Sequence, residues 1–304
     1  MTISNEIISN VEAGDGNALA DLDARGLLVA PGEDGPTFAA RLRTLRQNLA
    51  ELERALGTGE GVDVGGVQLD AASRIPREFF DEAAGRTDSL FGIRVDWVPG
   101  FFVNPRFSWL FGGCAFYEYP NFLALFIIRR SFRNRRKWWI YHREELLAHE
   151  LCHVARVALH SRVFEEHFAY RTSRSRFRRL VGPVVRRPAE SFALLGCCFL
   201  LLAAQIAQVE MVPALPVTPF WLLVAGVMAF LGARLRRERV VLERAKANLA
   251  PLFPGQAERV VFRLSDAEIG TLAACRGKAD VEAALPDDLR MRVLRIRFGG
   301  EKME

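Results

Sequence analysis

The sequence predicts an α+β fold in three parts: a small domain with a mixed sheet and helices, a two-helix transmembrane hairpin, and a small α-rich C-terminal tail. Residues 89–130 are rich in aromatic and β-branched side chains broken by Gly and Pro, which is typical of short strands. Residues 138–159 contain no Gly or Pro, which favours one continuous helix. Residues 191–209 and 217–233 carry no charge, and each approaches the roughly 20 apolar residues that cross a bilayer.

The composition limits the class of protein. The 304 residues are enough for one large or two modest domains, and 50% are hydrophobic although 25% are charged. The net charge of +5 comes from local Arg clusters. The five Cys are odd in number and show no C-x-x-C spacing. This pattern argues against a disulfide framework or a zinc knuckle and favours a reducing compartment.

The N-terminal part combines a polar segment with an amphipathic one. Residues 1–36 are rich in Gly and acidic residues and lack a sustained apolar period, so we expect a mobile leader. Residues 37–56 place apolar side chains at alternating spacings of four and three, which predicts an amphipathic helix with Thr37 as its N-cap and Gly57 as its end. Because this seam covers fewer than three heptads, packing on the next domain is favoured over dimerisation.

Strands are expected before the continuous helix. Residues 91–98 show partial alternation, and the apolar stretches 113–119 and 123–128 flank Pro120-Asn121, which is a turn signal. The low charge of 101–128 also suits an apolar re-entrant segment. The prolines and glycines in that range weigh against a spanning helix.

The continuous helix contains His149-Glu150-Leu151-Cys152-His153, which reads H-E-x-x-H. Residues four apart lie on one helical face with Cβ atoms about 6 Å apart, so both imidazoles can reach one ion. Glu150 follows the first His and is placed to act on water at the metal. The motif therefore predicts Zn²⁺ bound by His149 and His153, with Glu150 catalytic. The alternative is a partly buried helix whose His residues only form hydrogen bonds.

A catalytic zinc ion usually has a third protein ligand. His160 lies seven residues beyond His153, about 10 Å farther along a helix, which is too far to share the ion. The pattern H-E-x-x-H-x-x-G-x-x-H solves this distance with a Gly that turns the chain. Arg156 occupies the place of that Gly here, so a site built from three His residues is excluded.

A helical hairpin offers a better third ligand. If the chain reverses near 159–162, an antiparallel helix returns beside the first one, and the midpoint between His153 and Glu166 falls at the 159/160 junction. Glu165 and His167 are nearly as well placed. A carboxylate is favoured, and the choice between the two Glu residues stays open at this point.

The pattern His149-Glu150-x-x-His153 followed by Glu166-His-Phe-Ala169 resembles the gluzincin group of zinc metallopeptidases, whose third ligand is a Glu. In several of its families Ala stands three residues after that Glu with an aromatic residue nearby, as Ala169 and Tyr170 do here. The resemblance covers about residues 123–170. It implies a compact zincin-like domain at 37–187 and Zn²⁺ held by His149, His153 and Glu166. The spacing between the second His and the Glu is shorter than in the better-known members.

The resemblance also implies a mechanism. A zinc-bound water activated by Glu150 would attack the peptide carbonyl, as in a zinc metalloendopeptidase. The substrate would lie extended along an edge strand, for which residues 123–128 are the expected segment. The second proton donor is open between His142, His167 and Tyr170.

Residues 188–236 are predicted to form the transmembrane hairpin. A buried soluble hairpin is disfavoured because both apolar segments are apolar on every face. Lys and Arg crowd both outer ends of the hairpin and are absent from its turn. By the positive-inside rule, the catalytic domain, the helical region 237–304 and both termini are therefore cytoplasmic. We expect an integral membrane protein, located in the inner membrane of the cell.

The Arg-rich stretches 129–139 and 171–187 indicate the partners. They can contact anionic lipid headgroups, whereas nucleic-acid binding would leave their position beside the apolar segments unexplained. The expected partners are a peptide or protein substrate, which can be a membrane protein, and the lipid bilayer. Two alternatives to a membrane-anchored peptidase stay open. They are an inactive metal-binding membrane scaffold and an Arg-rich membrane-surface adaptor that uses the 37–56 helix.

Overall fold

The computed structural model describes residues 3–59, 61–64, 67–104, 112–118, 123–139 and 141–299. These residues form helices and small β-sheets, which agrees with the predicted α+β fold class. The helices are α1 (Asn5–Glu12), α2 (Gly16–Ala24), α3 (Gly35–Gly57), α4 (Arg77–Phe91), α5 (Arg143–Arg156), α6 (Glu165–Arg171), α7 (Arg176–Val181), α8 (Pro188–Glu210), α9 (Thr218–Leu249), α10 (Ala257–Val261), α11 (Asp266–Ala274), α12 (Lys278–Ala284) and α13 (Leu289–Phe298). The strands are β1 (Val62–Val64), β2 (Val67–Leu69), β3 (Gly100–Val103), β4 (Gly113–Glu118), β5 (Leu123–Arg129), β6 (Lys137–Trp138) and β7 (Tyr141–His142).

A three-stranded sheet precedes the motif helix α5. β5 lies in its centre, parallel to β3 and antiparallel to β4. Residues 124–128 of β5 are all buried, as expected for a central strand covered on both faces. The strands predicted at 113–119 and 123–128 are confirmed as β4 and β5. Residue 119 and the predicted turn at Pro120-Asn121 lie outside the described residues.

The segment 91–98 is not a strand, so that prediction is wrong. α4 ends at Phe91, and Gly92 takes a left-handed conformation with φ 65° that terminates the helix. The following residues have no regular structure, and the Trp97 indole donates a hydrogen bond to the backbone carbonyl of Arg25. The apolar side chains of this segment are buried against neighbouring helices instead of a paired strand.

The N-terminal residues belong to the core, so the mobile leader expected for 1–36 is wrong over residues 3–36. Ser4 and Asp15 cap α1 and α2 by accepting hydrogen bonds from the third amide of each helix. The few apolar side chains of these helices, Ile8 and Leu22 among them, are buried. The sequence predicts these two helices only weakly, because both are short. Their packing partners also come from later in the chain: α1 contacts α3, and α2 contacts α13.

Helix α3 packs on the domain, as its amphipathic pattern predicted. Phe38 and Leu45 are fully buried, and the helix contacts α1, β1 and β5. It begins before the predicted N-cap Thr37, because the Asp34 side chain accepts the hydrogen bond of the Thr37 amide. It ends at Gly57, as predicted.

Two helices are long and apolar enough to cross a membrane, over Ala189–Glu210 and Thr218–Leu249. Only 11% of the most apolar window of each is buried inside the protein, so the rest of the described chain does not cover their apolar surfaces. α8 and α9 pack against each other, with Leu201 and Leu231 buried. They form the candidate membrane-spanning pair.

Helix α9 extends well beyond its apolar half. It continues unbroken to Leu249, which is fully buried in the main core. The boundary expected after residue 236 therefore lies inside one helix. The later residues share the same core, as shown by Phe262 stacking on Phe91 with 4.2 Å between ring centroids. The region 237–304 is α-rich as predicted, but over its described residues it is not a separate tail.

Candidate metal centre

The motif helix α5 turns one face to the core and the other to the site. Its apolar residues at helical spacing, such as Leu147 and Leu151, are fully buried. His149 and His153 lie one turn apart on the facing side. Their Nε2 atoms are 3.1 Å apart, and their ring centroids are 4.8 Å apart. The two motif imidazoles therefore converge on one point.

The chain reverses after α5 near the place predicted by the midpoint argument. α5 ends at Arg156, a single 3-10 turn follows at Val157–Leu159, and His160 adopts a left-handed backbone conformation with φ 49°. α6 begins at Glu165 and packs beside α5. This reversal brings the acidic start of α6 level with the motif.

Asp266, the first residue of α11, holds the loop between the two helices. Its carboxylate accepts hydrogen bonds from the Ser161 hydroxyl at 2.6 Å and from the amides of Arg162, Val163 and Phe164 at 2.6, 2.7 and 3.2 Å. Burial raises the pKa of Asp266, but these hydrogen bonds outweigh burial and hold it below its usual value. One carboxylate thus fixes the entry of the chain into α6.

Glu166 completes a cluster of three potential ligands. Its Oε2 lies 3.6 Å from His149 Nε2, and its Oε1 lies 3.6 Å from His153 Nε2. A tetrahedral zinc ion with bonds of about 2.0–2.1 Å separates its ligand atoms by about 3.3 Å. The two Nε2 atoms are 3.1 Å apart, and each lies 3.6 Å from a different oxygen of Glu166, so one ligand atom from each residue fits within 4.8 Å. Two imidazoles and a carboxylate are a donor set that Zn²⁺ uses in catalytic sites, so these residues fit a Zn²⁺ ion by their chemistry.

Glu165 lies behind His153 and outside the cluster. One of its oxygens is 3.1 Å from His153 Nδ1, and the other accepts a hydrogen bond from Arg156 Nε at 2.9 Å. A carboxylate on the far nitrogen of a ligating His fixes the ring orientation and increases its basicity. The two acidic residues that the sequence left as alternatives are therefore separated by position: Glu166 faces the His pair, and Glu165 orients one of its rings.

Arg156 anchors Glu165 from inside the core. Its side chain is fully buried, and its guanidinium also donates to the backbone carbonyls of Phe262 and Leu264. It lies 4.3 Å from the centre of the Phe168 ring. The residue that replaces the turn-forming Gly of the longer zinc motif thus connects the site to the C-terminal part of the chain.

The ring of His149 is oriented from its far side as well. It lies edge-on to Tyr170, with 4.8 Å between ring centroids, and the backbone of Ala169 interacts favourably with its protonated form. Burial, with the positive charges of His153 and Arg178, lowers the pKa of His149 well below its usual value. The neutral imidazole that a metal ion requires is therefore favoured at this position.

His153 has the opposite electrostatic environment. Burial lowers its pKa, but the hydrogen bond to Glu165 and the negative charges of Glu165, Glu150 and Glu166 outweigh burial and raise the pKa to about 9. Three carboxylates thus surround one ring, an arrangement that attracts a cation to the cluster.

Glu150 projects from α5 toward the sheet. Its Oε2 accepts a hydrogen bond from the Ala115 amide of β4 at 2.9 Å. Burial raises the pKa of Glu150; His153 and the Ala115 amide oppose this effect, and the charge of Glu166 adds to it. The net result is a carboxyl group with raised proton affinity beside the cluster, which suits a general base.

The strand beside the site is β4, so the expectation that 123–128 forms the edge strand is wrong. β5, which contains these residues, is paired on both sides, whereas β4 pairs only with β5 among the described strands. Closeness in sequence to the motif helix does not determine strand order, and β5 lies between β3 and β4.

Tyr170 is the only one of the three candidate proton donors that the structure puts next to the cluster. His167 turns away from the site, with its Nε2 3.0 Å from Glu238 Oε2 of α9. His142 precedes α5 and lies seven residues, about 10 Å along the helix, before His149. Burial raises the pKa of Tyr170, which keeps its phenol protonated.

Sequence reasoning missed Arg156 and Asp266 as supporting residues. Arg156 meets its carbonyl partner Phe262 across 106 positions, and Asp266 meets Ser161 across 105. No local pattern marks either contact. The only hint in the sequence is that Arg156, a large cationic side chain, occupies the position where the longer zinc motif has Gly.

Comparison with known proteins adds no information about the site. No family model, no curated protein and no solved structure matches the chain.

Proposed function

We propose that the chain is a membrane-anchored zinc metallopeptidase of the gluzincin type, with a zincin-like domain that hydrolyses peptide bonds at the cytoplasmic face of the membrane. One observation carries this proposal. The ligand atoms of His149, His153 and Glu166 lie within 4.8 Å of one another, and Glu150 interacts electrostatically with His153 and Glu166 beside them. The far nitrogen of His153 also has a carboxylate partner in Glu165, as metal-bound His residues often do. A helix with merely hydrogen-bonded His residues would need no such convergence.

The residues of the site divide the chemistry among themselves. His149, His153 and Glu166 would hold Zn²⁺, which supplies Lewis-acid polarisation of a carbonyl and lowers the pKa of water toward neutrality. The Glu150 carboxylate accepts a proton from the attacking water and passes it to the leaving amine. The protonated Tyr170 phenol is the candidate donor of a hydrogen bond to the developing oxyanion.

The edge of β4 is the proposed binding site for the substrate backbone. Because the Ala115 amide reaches Glu150, the backbone groups of Gly113, Ala115 and Tyr117 lie on the side of β4 away from β5. An extended peptide can add to such an edge as a further strand and gain main-chain hydrogen bonds. This mode of binding would bring a peptide alongside the general base.

The proposed anchoring follows from α8 and α9. Lys and Arg flank both outer ends of this hairpin, and residues 211–217 of its turn carry none. The positive-inside rule then assigns the metal site and both termini to the cytoplasm, which suits an inner-membrane protein. Anionic headgroups are the proposed partners of the Arg-rich stretches 129–139 and 171–187.

Peptide cleavage by the purified full-length chain tests the proposal. Wild type and Glu150→Gln are reconstituted in nanodiscs, their zinc content is measured, and cleavage of a mixed peptide library is followed by mass spectrometry. Glu144→Gln is the matched control, because it removes a carboxylate of α5 that pairs with Arg86 and Arg174 instead of the site. We expect Glu150→Gln to retain zinc and to cleave at least about 100-fold more slowly, whereas Glu144→Gln behaves like wild type.

The outcomes separate the competing functions. Equal cleavage by wild type and Glu150→Gln would contradict the assigned role of Glu150. Stoichiometric zinc without cleavage would favour an inactive metal-binding scaffold. A protein without zinc would leave the membrane-surface adaptor as the better account.

A further inference from the structure

Helix α7 presents an apolar surface that no described part of the chain covers. Phe177, Leu180 and Val181 are 71%, 54% and 43% exposed. Arg174 and Arg176 are exposed on the same segment. A basic segment with large exposed apolar side chains is typical of a helix that lies in a membrane interface.

Helix α7 lies at the level where the apolar half of α9 ends. The uncharged run of α9 ends at Ala233. The next residue, Arg234, donates to the Val184 carbonyl at 2.7 Å, and Arg239 donates to the Leu180 carbonyl within α7. The six residues from Ala233 to Arg239 span about 9 Å of helix, and a headgroup layer is about 5–8 Å deep. α7 is therefore held beside the boundary between acyl chains and headgroups.

Helix α7 is also fixed to the metal site. Glu145 of the motif helix accepts hydrogen bonds from the Ser173 hydroxyl and from Arg178 Nη1, both at 3.0 Å. Just beyond α7, Gly182 lies so close to Tyr170 that an added Cβ would be 2.3 Å from its ring. The depth of α7 in a bilayer therefore sets the height of the metal site above it.

We propose that α7 is an interfacial helix: Phe177, Leu180 and Val181 enter the boundary between headgroups and acyl chains of an anionic bilayer, and the Arg side chains around them contact lipid phosphates. Lipid is the occupant because this surface is continuous with the candidate membrane-spanning helices and its charge complements anionic headgroups. A protein partner would have to fit between the surface and the bilayer.

If α7 lies in the membrane interface, its position limits which peptides can reach the metal site. This inference about substrates rests on the proposed peptidase function. Glu166 lies one helical turn, about 6 Å, from Tyr170, which packs on Gly182 next to the membrane boundary. An extended chain covers about 3.3–3.6 Å per residue, so about two residues span this distance, and peptide bonds only a few residues from a membrane span can already reach the site. The substrates are therefore cytoplasmic juxtamembrane segments of membrane proteins.

Lipid cross-linking in the intact protein tests the position of α7. A photoreactive benzophenone residue replaces Phe177 in the full-length chain, which is reconstituted in nanodiscs of phosphatidylcholine and phosphatidylglycerol, irradiated and weighed by mass spectrometry. Phe199, 67% exposed on α8, is the membrane-embedded control. Glu282 on α12 is the solvent control, because α12 contacts α9 and follows Cys275, whose carbonyl accepts a hydrogen bond from Asn248, about 22 Å beyond Ala233 along α9.

We expect lipid adducts at positions 177 and 199 in comparable yield, and about tenfold less at 282. The absence of lipid adducts at 177 while 199 reacts, or a protein adduct at 177, would overturn the interfacial assignment. The absence of adducts at 199 would overturn it as well, since α8 would then lie outside the bilayer.

A separate assay tests the substrate class. A soluble peptide that wild type cleaves is attached to a dipalmitoyl anchor through about four or about twenty residues, and cleavage in nanodiscs is compared for wild type and Phe177→Ser/Leu180→Ser. We expect the double variant to cleave the short-spaced peptide about tenfold more slowly and the free peptide at the wild-type rate. Equal cleavage of the short-spaced peptide by both proteins would contradict the link to substrate choice. If wild type cleaves no peptide at all, the peptidase proposal fails, and the cross-linking result alone decides the position of α7.

Discussion

The substitution Glu165→Gln should weaken zinc binding without removing a ligand. Glu165 bridges His153 Nδ1 at 3.1 Å and Arg156 Nε at 2.9 Å. A glutamine amide has the same shape but one oxygen and no charge, so it can accept a hydrogen bond from only one of these partners. Removing the partner behind a ligating His costs about 10–100-fold in metal affinity, which corresponds to about 1.4–2.7 kcal/mol.

The assay is a zinc titration of the metal-free full-length protein in detergent, in competition with a chromophoric chelator at constant pH. Glu144→Gln is again the matched control, because Glu144 lies on α5 and pairs with Arg86 and Arg174 rather than with His153. We expect its zinc affinity to stay within about twofold of wild type, since partly exposed ion pairs contribute little.

Two results would refute this reasoning about Glu165. The first is a zinc affinity of Glu165→Gln equal to that of wild type. The second is an equal loss in Glu144→Gln, which would indicate a general effect of charge instead of the orientation of His153. Thermal unfolding of the metal-free variants serves as the folding control, because Arg156 keeps its hydrogen bonds to the carbonyls of Phe262 and Leu264 when Glu165 is replaced.

Two further substitutions, one of them with a matched control, test the residues that hold the loop before α6 and the packing around Tyr170. Asp266→Asn should lower the free energy of unfolding at pH 7 by about 1–3 kcal/mol, measured by denaturant titration, since it weakens the hydrogen bonds of the loop before α6. The hydrogen bonds outweigh the burial of Asp266, so its folded-state pKa is lowered. Its contribution to stability is present above about pH 4, the unfolded-state pKa, and is lost as the pH falls through the folded-state pKa, so a difference from wild type that stays constant down to acid unfolding would contradict this account. Gly182→Ala puts a Cβ 2.3 Å from the Tyr170 ring and should destabilise by about 1–3 kcal/mol. Gly270→Ala, with nothing within 4 Å of the added Cβ, should stabilise by up to about 1 kcal/mol, and equal effects of the two would argue against the tight packing at Gly182.

The parts of the site that depend on local geometry could be predicted from the sequence. The fixed rise and pitch of a helix bring His149 and His153 together whatever surrounds them. The same geometry, applied to a reversal near residue 160, leads to Glu166. The apolar lengths of α8 and α9 and the strand patterns of β4 and β5 are likewise properties of short stretches of chain.

The parts that depend on distant residues could not be predicted. Arg156 and Asp266 act on partners more than a hundred positions away, and the burial of residues 3–36 depends on α3 and α13. Strand order is another long-range property, so the sequence pattern of residues 123–128 predicts a strand but not that this strand lies in the centre of its sheet. The strand predicted at 91–98 is wrong for the same reason, because the alternating apolar side chains of this segment are buried by neighbouring helices and not by a paired strand.

Zinc content tests the central claim most directly. The full-length protein, purified in detergent without chelators, is analysed by elemental mass spectrometry beside His153→Ala and the control His160→Ala, whose residue lies in the reversal and outside the cluster. We predict about one zinc per chain in wild type and His160→Ala, and almost none in His153→Ala. A wild-type protein without zinc, or a zinc content that His153→Ala leaves unchanged, would contradict the claim that His149, His153 and Glu166 form a metal site.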